Sequence, residues 1–236
     1  MSAAPTFPPL LTGVAVVPGE DPFEKACAMA ALGCDGGTVV HDLRVDRMRM
    51  AAVFAPEVVL EQAMAMLPVC GIGFQNALGA LAPPEVAVHL TWEGGIRVNG
   101  ARCGRMRVTA AQDAPDAVPD WLVVGIEVPL IQTEADPGLT LDITALRDEG
   151  CAELDAVELL ESWARHMLVW INRWEEDGNA PVHAEWMGLL TGVGAPVERG
   201  GHSGTFLGVD DRFGMLIRDS ETTHLVPMSS LVGETR

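Results

Sequence analysis

Apolar and polar positions change period several times along the chain, and each change marks an element. After a Pro-rich start, "DPFEKACAMAALG" supplies Asp21 as N-cap, Pro22 at N1, Glu24 at N3 and Gly33 as a stop, which predicts a short helix. "TVVHD" and "MAAVFA" read as strands enclosing the basic "LRVDRMR". Pro56 then opens a mostly helical segment, predicted to break at Pro68 and at Gly71 and Gly73, and to end before Pro83-Pro84. "VAVHLTW" (86–92), a hairpin about Asn99-Gly100 and "WLVVGIEVPL" (121–130) predict further strands, joined by a polar loop over 111–120. The middle of the chain therefore reads as a mixed sheet.

From Asp155 the period becomes helical. "DAVELLESWARHMLVWINRWEEDG" puts Leu160, Trp163, Met167, Trp170, Ile171 and Trp174 on one face, with Asp155 and Glu158 as start signals. Three tryptophans on such a stripe predict core rather than a ligand platform. A further helix is expected from near Pro181 through Trp186, stopping at Gly192 and Gly194. The tail "GTFLGVDDRFGMLIRDSETTHLVP" alternates short apolar strands with turns, the pattern of a small all-β module. The boundary falls near Val197, giving a main domain over 1–196 and a small β module over 197–236.

Composition narrows the function classes. A net charge of -18 disfavours nucleic acid and anionic membrane as partners. No continuous apolar run approaches 18 residues and no leader is visible, so the chain reads as cytoplasmic. Five cysteines without a CxxC pair argue against a disulfide framework or a zinc ribbon. The six histidines show no metal-binding spacing, so no metal site is expected. "GHSGT" (201–205) lacks the last glycine of a nucleophile elbow and lies in the β tail, where it reads as a connector.

Charge is unevenly placed. Seven of the fifteen basic residues fall in Arg44–Arg49 and Arg97–Arg107, and the chain has one lysine, Lys25. With Asn99-Gly100 at the centre of a type I′ turn, Val98 pairs with Ala101, Arg97 with Arg102 and Ile96 with Cys103. Two arginines opposite one another are destabilising unless a carboxylate, solvent or a bound anion compensates. The face bearing them is expected to border the main concave pocket.

This stretch resembles a segment of the biotin–protein ligases that reads W-P-N-D, then N-G-x-K, then a small residue and glycine. Trp92 matches the tryptophan, Asn99-Gly100 the turn, Arg102 the central lysine and Gly104 the small residue. "VVGIEVPL" is similar to the family's G-I-N-V-N strand, "ITALRDEG" and the helix after it to its T-S-L-R-x-x-G segment, and the tail to its small SH3-like β-barrel. The resemblance covers roughly residues 20–230. It implies an α+β fold, a mixed sheet with helices followed by that barrel, and a two-step reaction: activation of biotin, or of lipoate in the sister branch, by ATP with Mg to an acyl-adenylate, then transfer to a lysine of a biotin-carrier or lipoyl domain. A homodimer is one state it allows. It further implies Arg102 as the catalytic cation and Arg47, Arg49, Trp92, Arg97, Gly104 and Glu127 as contacts to substrate or ATP.

Three departures stand against full activity. The family's glycine-rich G-R-G-R-x-G-R-x-W loop is replaced by the glycine-free "RVDRMRM", W-P-N-D becomes Trp92-Glu93-Gly94-Gly95, and Glu127 and Pro129 stand at the two asparagines of N-V-N. Arginine for lysine at 102 also exchanges a compact ammonium for a planar fork. Two readings remain open: a ligase of impaired activity, or a non-catalytic relative that binds an acyl or nucleotide ligand or a protein partner.

Overall fold

The computed structural model describes residues 4–132 and 142–234. Seven strands form the main sheet: β1 (Thr12–Ala15), β2 (Thr38–Leu43), β3 (Arg47–Phe54), β4 (Val88–Leu90), β5 (Gly95–Val98), β6 (Ala101–Ala110) and β7 (Leu122–Pro129). Their order is β1-β2-β3-β7-β6-β5-β4, with β1 parallel to β2 and the other neighbours antiparallel. The sheet is mixed, as the strand patterns predict.

One face is covered by α2 (Leu60–Ala63), α3 (Met66–Leu81), α4 (Ala156–Asp177) and α5 (Asn179–Leu189), which share the main apolar core with it. Asp155 caps α4 by accepting from the Val157 and Glu158 amides at 2.8 and 3.4 Å. The tryptophan stripe faces inward, and each indole N–H finds an acceptor: Trp163 on the Cys70 carbonyl (3.1 Å), Trp170 on Asn76 Oδ1 (2.8 Å) and Trp174 on Asn179 Oδ1 (2.7 Å).

The expected breaks in the 56–82 segment do not occur where the glycines and proline stand. Pro68 lies in the first turn of α3, where a missing N–H interrupts no helical hydrogen bond. Gly71 and Gly73 allow close packing: a Cβ on Gly71 would come 2.9 Å from Leu90 Cδ1, and one on Gly73 3.1 Å from the Met167 amide. The stretch Leu60–Leu81 has the length of a membrane span and contains an 18-residue window apolar enough for one, with mean hydropathy 1.4, but 72% of that window is buried inside the fold, mainly against α4.

Among the described helices the other face carries only α1 (Pro22–Ala31), whose Phe23, Ala26 and Ala30 cover Val40, Ala51, Val53 and Val123. The rest of that face, toward β5 and β6, is left open by the described helices. After α5 comes a separate four-stranded antiparallel sheet: β8 (Pro196–Arg199), β9 (His202–Val209), β10 (Met215–Arg218) and β11 (Thr223–Val226), in the order β11-β10-β9-β8, with α6 (Ser230–Glu234) after it.

Candidate functional site

The open face acquires its chemistry from register. Cross-strand partners share a face, so the pairings Asp42–Arg49, Arg49–Glu127 and Glu127–Arg105 set four charged side chains of alternating sign in one row across β2, β3, β7 and β6. One step toward α1, Arg107 lies opposite Gly125; one step away, Arg47 lies opposite Pro129. Farther along, Arg97 lies opposite Arg102 as the Asn99-Gly100 turn predicts, but Ile96 meets Gly104 rather than Cys103. That bulge adds one residue to β6, sends Cys103 into the core, and keeps Arg102 on the same face as Arg105. Six arginines from three strands thus share one open face.

Three of the six, Arg49, Arg105 and Arg107, are closely engaged by carboxylates of the chain. Arg49 binds Asp42 through Nε and Nη2 and donates to the Glu20 carbonyl at 3.2 Å; Arg44 also holds Asp42 at 3.2 Å. Arg105 donates to Glu127 at 3.1 Å, and Arg107 to Asp21 at 2.8 Å while its guanidinium lies 4.3 Å from the Phe23 ring centre. Burial pushes the Asp42 carboxyl up, but the hydrogen bonds and charge of Arg49 and Arg44 outweigh it and leave its pKa lowered. Asp21 is lowered in the same way, burial being outweighed by Arg107 and the Phe23 amide.

The others are less committed. Arg102 is 58% exposed, and its carboxylate partner Asp142 stands 3.7 Å away and is itself exposed. Arg97 donates to the Gly100 carbonyl of its own turn at 2.8 Å. Among the described residues Arg47 has only its chain neighbour Asp46 as ion-pair partner, at 4.0 Å, and its Nε is buried without a hydrogen-bond partner. Where the resemblance implies a glycine-rich loop, β2 and β3 are joined by a tight turn closed by the Arg44 amide on the Arg47 carbonyl, 2.9 Å.

Two predicted site residues serve packing. Trp92 is buried, and its indole donates to the Phe213 carbonyl at 2.7 Å, which ties the second sheet to the main one. A Cβ on Gly104 would come 2.5 Å from the Glu127 carbonyl oxygen, so β6 and β7 require glycine there. Nor does the open face border the main cavity: that space, about 1210 Å3, lies between α2, the α4–α5 junction and the β9–β10 turn, and neither Arg97 nor Arg102 lines it. The opposed pair needs no enclosing pocket because Arg97 is met by the Gly100 carbonyl of its own turn and Arg102 by solvent and the exposed Asp142. Asp42, Asp21, Arg105 and Arg107 belong to the constellation although the sequence did not mark them as site residues. The period-2 spacing of Arg105 and Arg107 was the available signal for two of them; Asp42 requires the β2–β3 register.

Residues 7–188 match the family described as biotin/lipoate A/B protein ligase, and residues 193–234 match a domain of unknown function, DUF4444. The chain belongs to the biotin/lipoate A/B protein ligase family. Its architecture is similar to that of a biotin protein ligase-like protein of unknown function from Silicibacter sp. TM1040, at 60% identity over 97% of this chain and 99% of that one, with a TM-score of 0.92. The biotin protein ligase of Aquifex aeolicus shares the fold at 17% identity over 92% of this chain and 94% of that one, TM-score 0.71. So does the Leishmania major biotin protein ligase in complex with biotinyl-5-AMP, at 15% identity over 93% and 99%, TM-score 0.58. A comparison with curated proteins finds no match.

Proposed function

We propose that this protein is an ATP-dependent ligase of the biotin/lipoate type. It would join a biotin or lipoate carboxylate to AMP on the open sheet face and pass the acyl group to a lysine of a biotin-carrier or lipoyl domain. The observation that carries this reading is the gathering of six arginines on one open face of a chain with net charge -18, in a family of protein ligases. Negative charge grows on the phosphates as pyrophosphate leaves, and fixed cations stabilise it.

The face divides the work. Arg102 is the catalytic cation, since its weak pair with exposed Asp142 leaves its donors free for a phosphate, and Arg47 and Arg97 flank it. Asp42 holds Arg49 and Glu127 holds Arg105, two pairs that brace the strands beneath. Magnesium would arrive with the nucleotide phosphates. Among the described residues no group of three or more His, Cys, Asp or Glu is placed to hold a metal ion, and the face's own carboxylates are engaged by arginines, so these residues do not form a protein site for it.

A second reading, a non-catalytic relative, is favoured by one specific observation: the tight Arg44–Arg47 turn puts no glycine backbone over the face, so water is not excluded by it. Pyrophosphate release from ATP on adding biotin, lipoate or octanoate separates the two. Acid-dependent release supports the ligase; release with none of the three supports the binding protein.

A further inference from the structure

The cavity of about 1210 Å3 lies on the helical side of the sheet, at the opposite end of β3 from the arginines. Phe54 in its wall is seven residues from Arg47, about 23 Å along an extended strand. It is therefore distinct from the open face.

Its floor is apolar and aromatic: Phe54, Met66, Ile171 and the side of Trp174. Its rim carries four carboxylates, Glu57, Glu175, Asp177 and Asp211, none of which is in an ion pair among the described residues. The lone cation of the lining, Arg212, is already held by Glu61 at 2.7 Å. In contrast to the open face, where carboxylates and guanidinium groups meet, negative charge here is left without a partner beside apolar surface.

The wall is also built in advance. Asn179 accepts from the Trp174 indole at 2.7 Å, fixing the ring, and donates to the Asp211 carbonyl at 2.8 Å, fixing the β9–β10 turn of the second sheet. His183 approaches the Val209 carbonyl of the same module at 3.3 Å. An aromatic face oriented by hydrogen bonds and ringed by carboxylates recognises a positive group on an apolar body, through the ring quadrupole and the field of the acids.

We infer that this cavity between the two modules binds a small organic cation, an ammonium carried on an apolar body. A carboxylic acid is repelled by the same rim, so the cavity is not a second acyl site. The inference does not depend on ligase activity.

The test uses three probes of equal length, hexylammonium, hexanol and hexanoate, titrated into the full chain while the Trp174 indole N–H resonance is followed. Hexylammonium is expected to shift that resonance saturably, more tightly than hexanol, with hexanoate weakest. The Glu175→Gln/Asp177→Asn double variant, altered only at exposed positions and checked for an unchanged circular dichroism spectrum, is expected to bind hexylammonium about five- to tenfold more weakly. Added salt should weaken binding to the native chain. Absence of saturable binding of hexylammonium, preference for hexanol or hexanoate, or equal affinity in the double variant would overturn the inference.

Discussion

Arg49 lies directly opposite Glu127 across β3 and β7, yet it bonds in the other direction, to Asp42 on β2, and Glu127 is taken by Arg105 from β6. Each inner charge of the row is thus held from one side only. The row satisfies itself without a ligand, and it also limits how much positive field the face offers to one.

That limit can be lifted. Glu127→Gln removes the acid that engages Arg105 and leaves an amide near one of the family's asparagine positions. Because the Arg105 side chain is largely exposed, stability should change by less than about 1 kcal/mol. Affinity for inorganic pyrophosphate should rise about two- to fivefold by calorimetry, from the freed guanidinium. An unchanged or lower affinity would place the anion site elsewhere.

Trp92 joins the two sheets through its indole. Trp92→Phe keeps most of the buried ring but leaves the Phe213 carbonyl without its donor, at a cost of about 1–3 kcal/mol in urea unfolding. Faster amide exchange should appear around residues 210–214 before the main sheet loosens. Exchange unchanged there would mean that the Arg212–Glu61 pair and the Asn179 contact suffice to hold the turn.

Acid should loosen the open face in a defined window. Asp42, whose carboxyl is held below its ordinary value of 3.8, stabilises the fold fully above that value. Its contribution falls away as the pH drops through the lower, folded-state pKa. Between pH 7 and about 5 stability should therefore be insensitive to this group, and the native chain should lose more stability than Asp42→Asn as the pH is taken below about 4. Urea midpoints at several pH values measure it; parallel curves for the two proteins would refute the assignment.

The turn that stands in place of a glycine-rich cover has a kinetic consequence. Without backbone amides over the phosphate, adenylate formation should be slow and the adenylate loosely held, because losing one well-aimed donor can cost ~10²-fold in rate. Single-turnover acylation of a biotin-carrier or lipoyl domain, with free acyl-adenylate followed in parallel, should show leakage exceeding that of a ligase with the intact loop. Equal rate and retention would show the loop to be dispensable.

How far the chain could be read depended on the range of each signal. The α4 helix, its Asp155 cap and its apolar stripe were legible because periodicity and capping are set within a few residues of chain. So was the pairing of Arg97 with Arg102, fixed by a two-residue turn. The continuity of α3 was not: Gly71 and Gly73 look like breaks until Leu90 and Met167, far along the chain, show how closely they pack and why a Cβ would crowd them. The Asp42–Arg49–Glu127–Arg105 row was hidden for the same reason, since it needs three strand registers at once. Trp92 illustrates the converse, a residue matched to a motif whose indole is bound 121 positions away.

Acyl-adenylate formation on the arginine face would show itself in the rate of acid-dependent pyrophosphate release from ATP, compared between the native chain and Arg102→Gln. Arg102 is exposed and carries only a weak ion pair, so the variant should keep its unfolding midpoint. The native chain should release pyrophosphate with at least one of biotin, lipoate or octanoate, and Arg102→Gln should do so about tenfold or more slowly. Release at the native rate in the variant, or none from the native chain with any of the three acids, would mean that the arginine face does not carry out this chemistry.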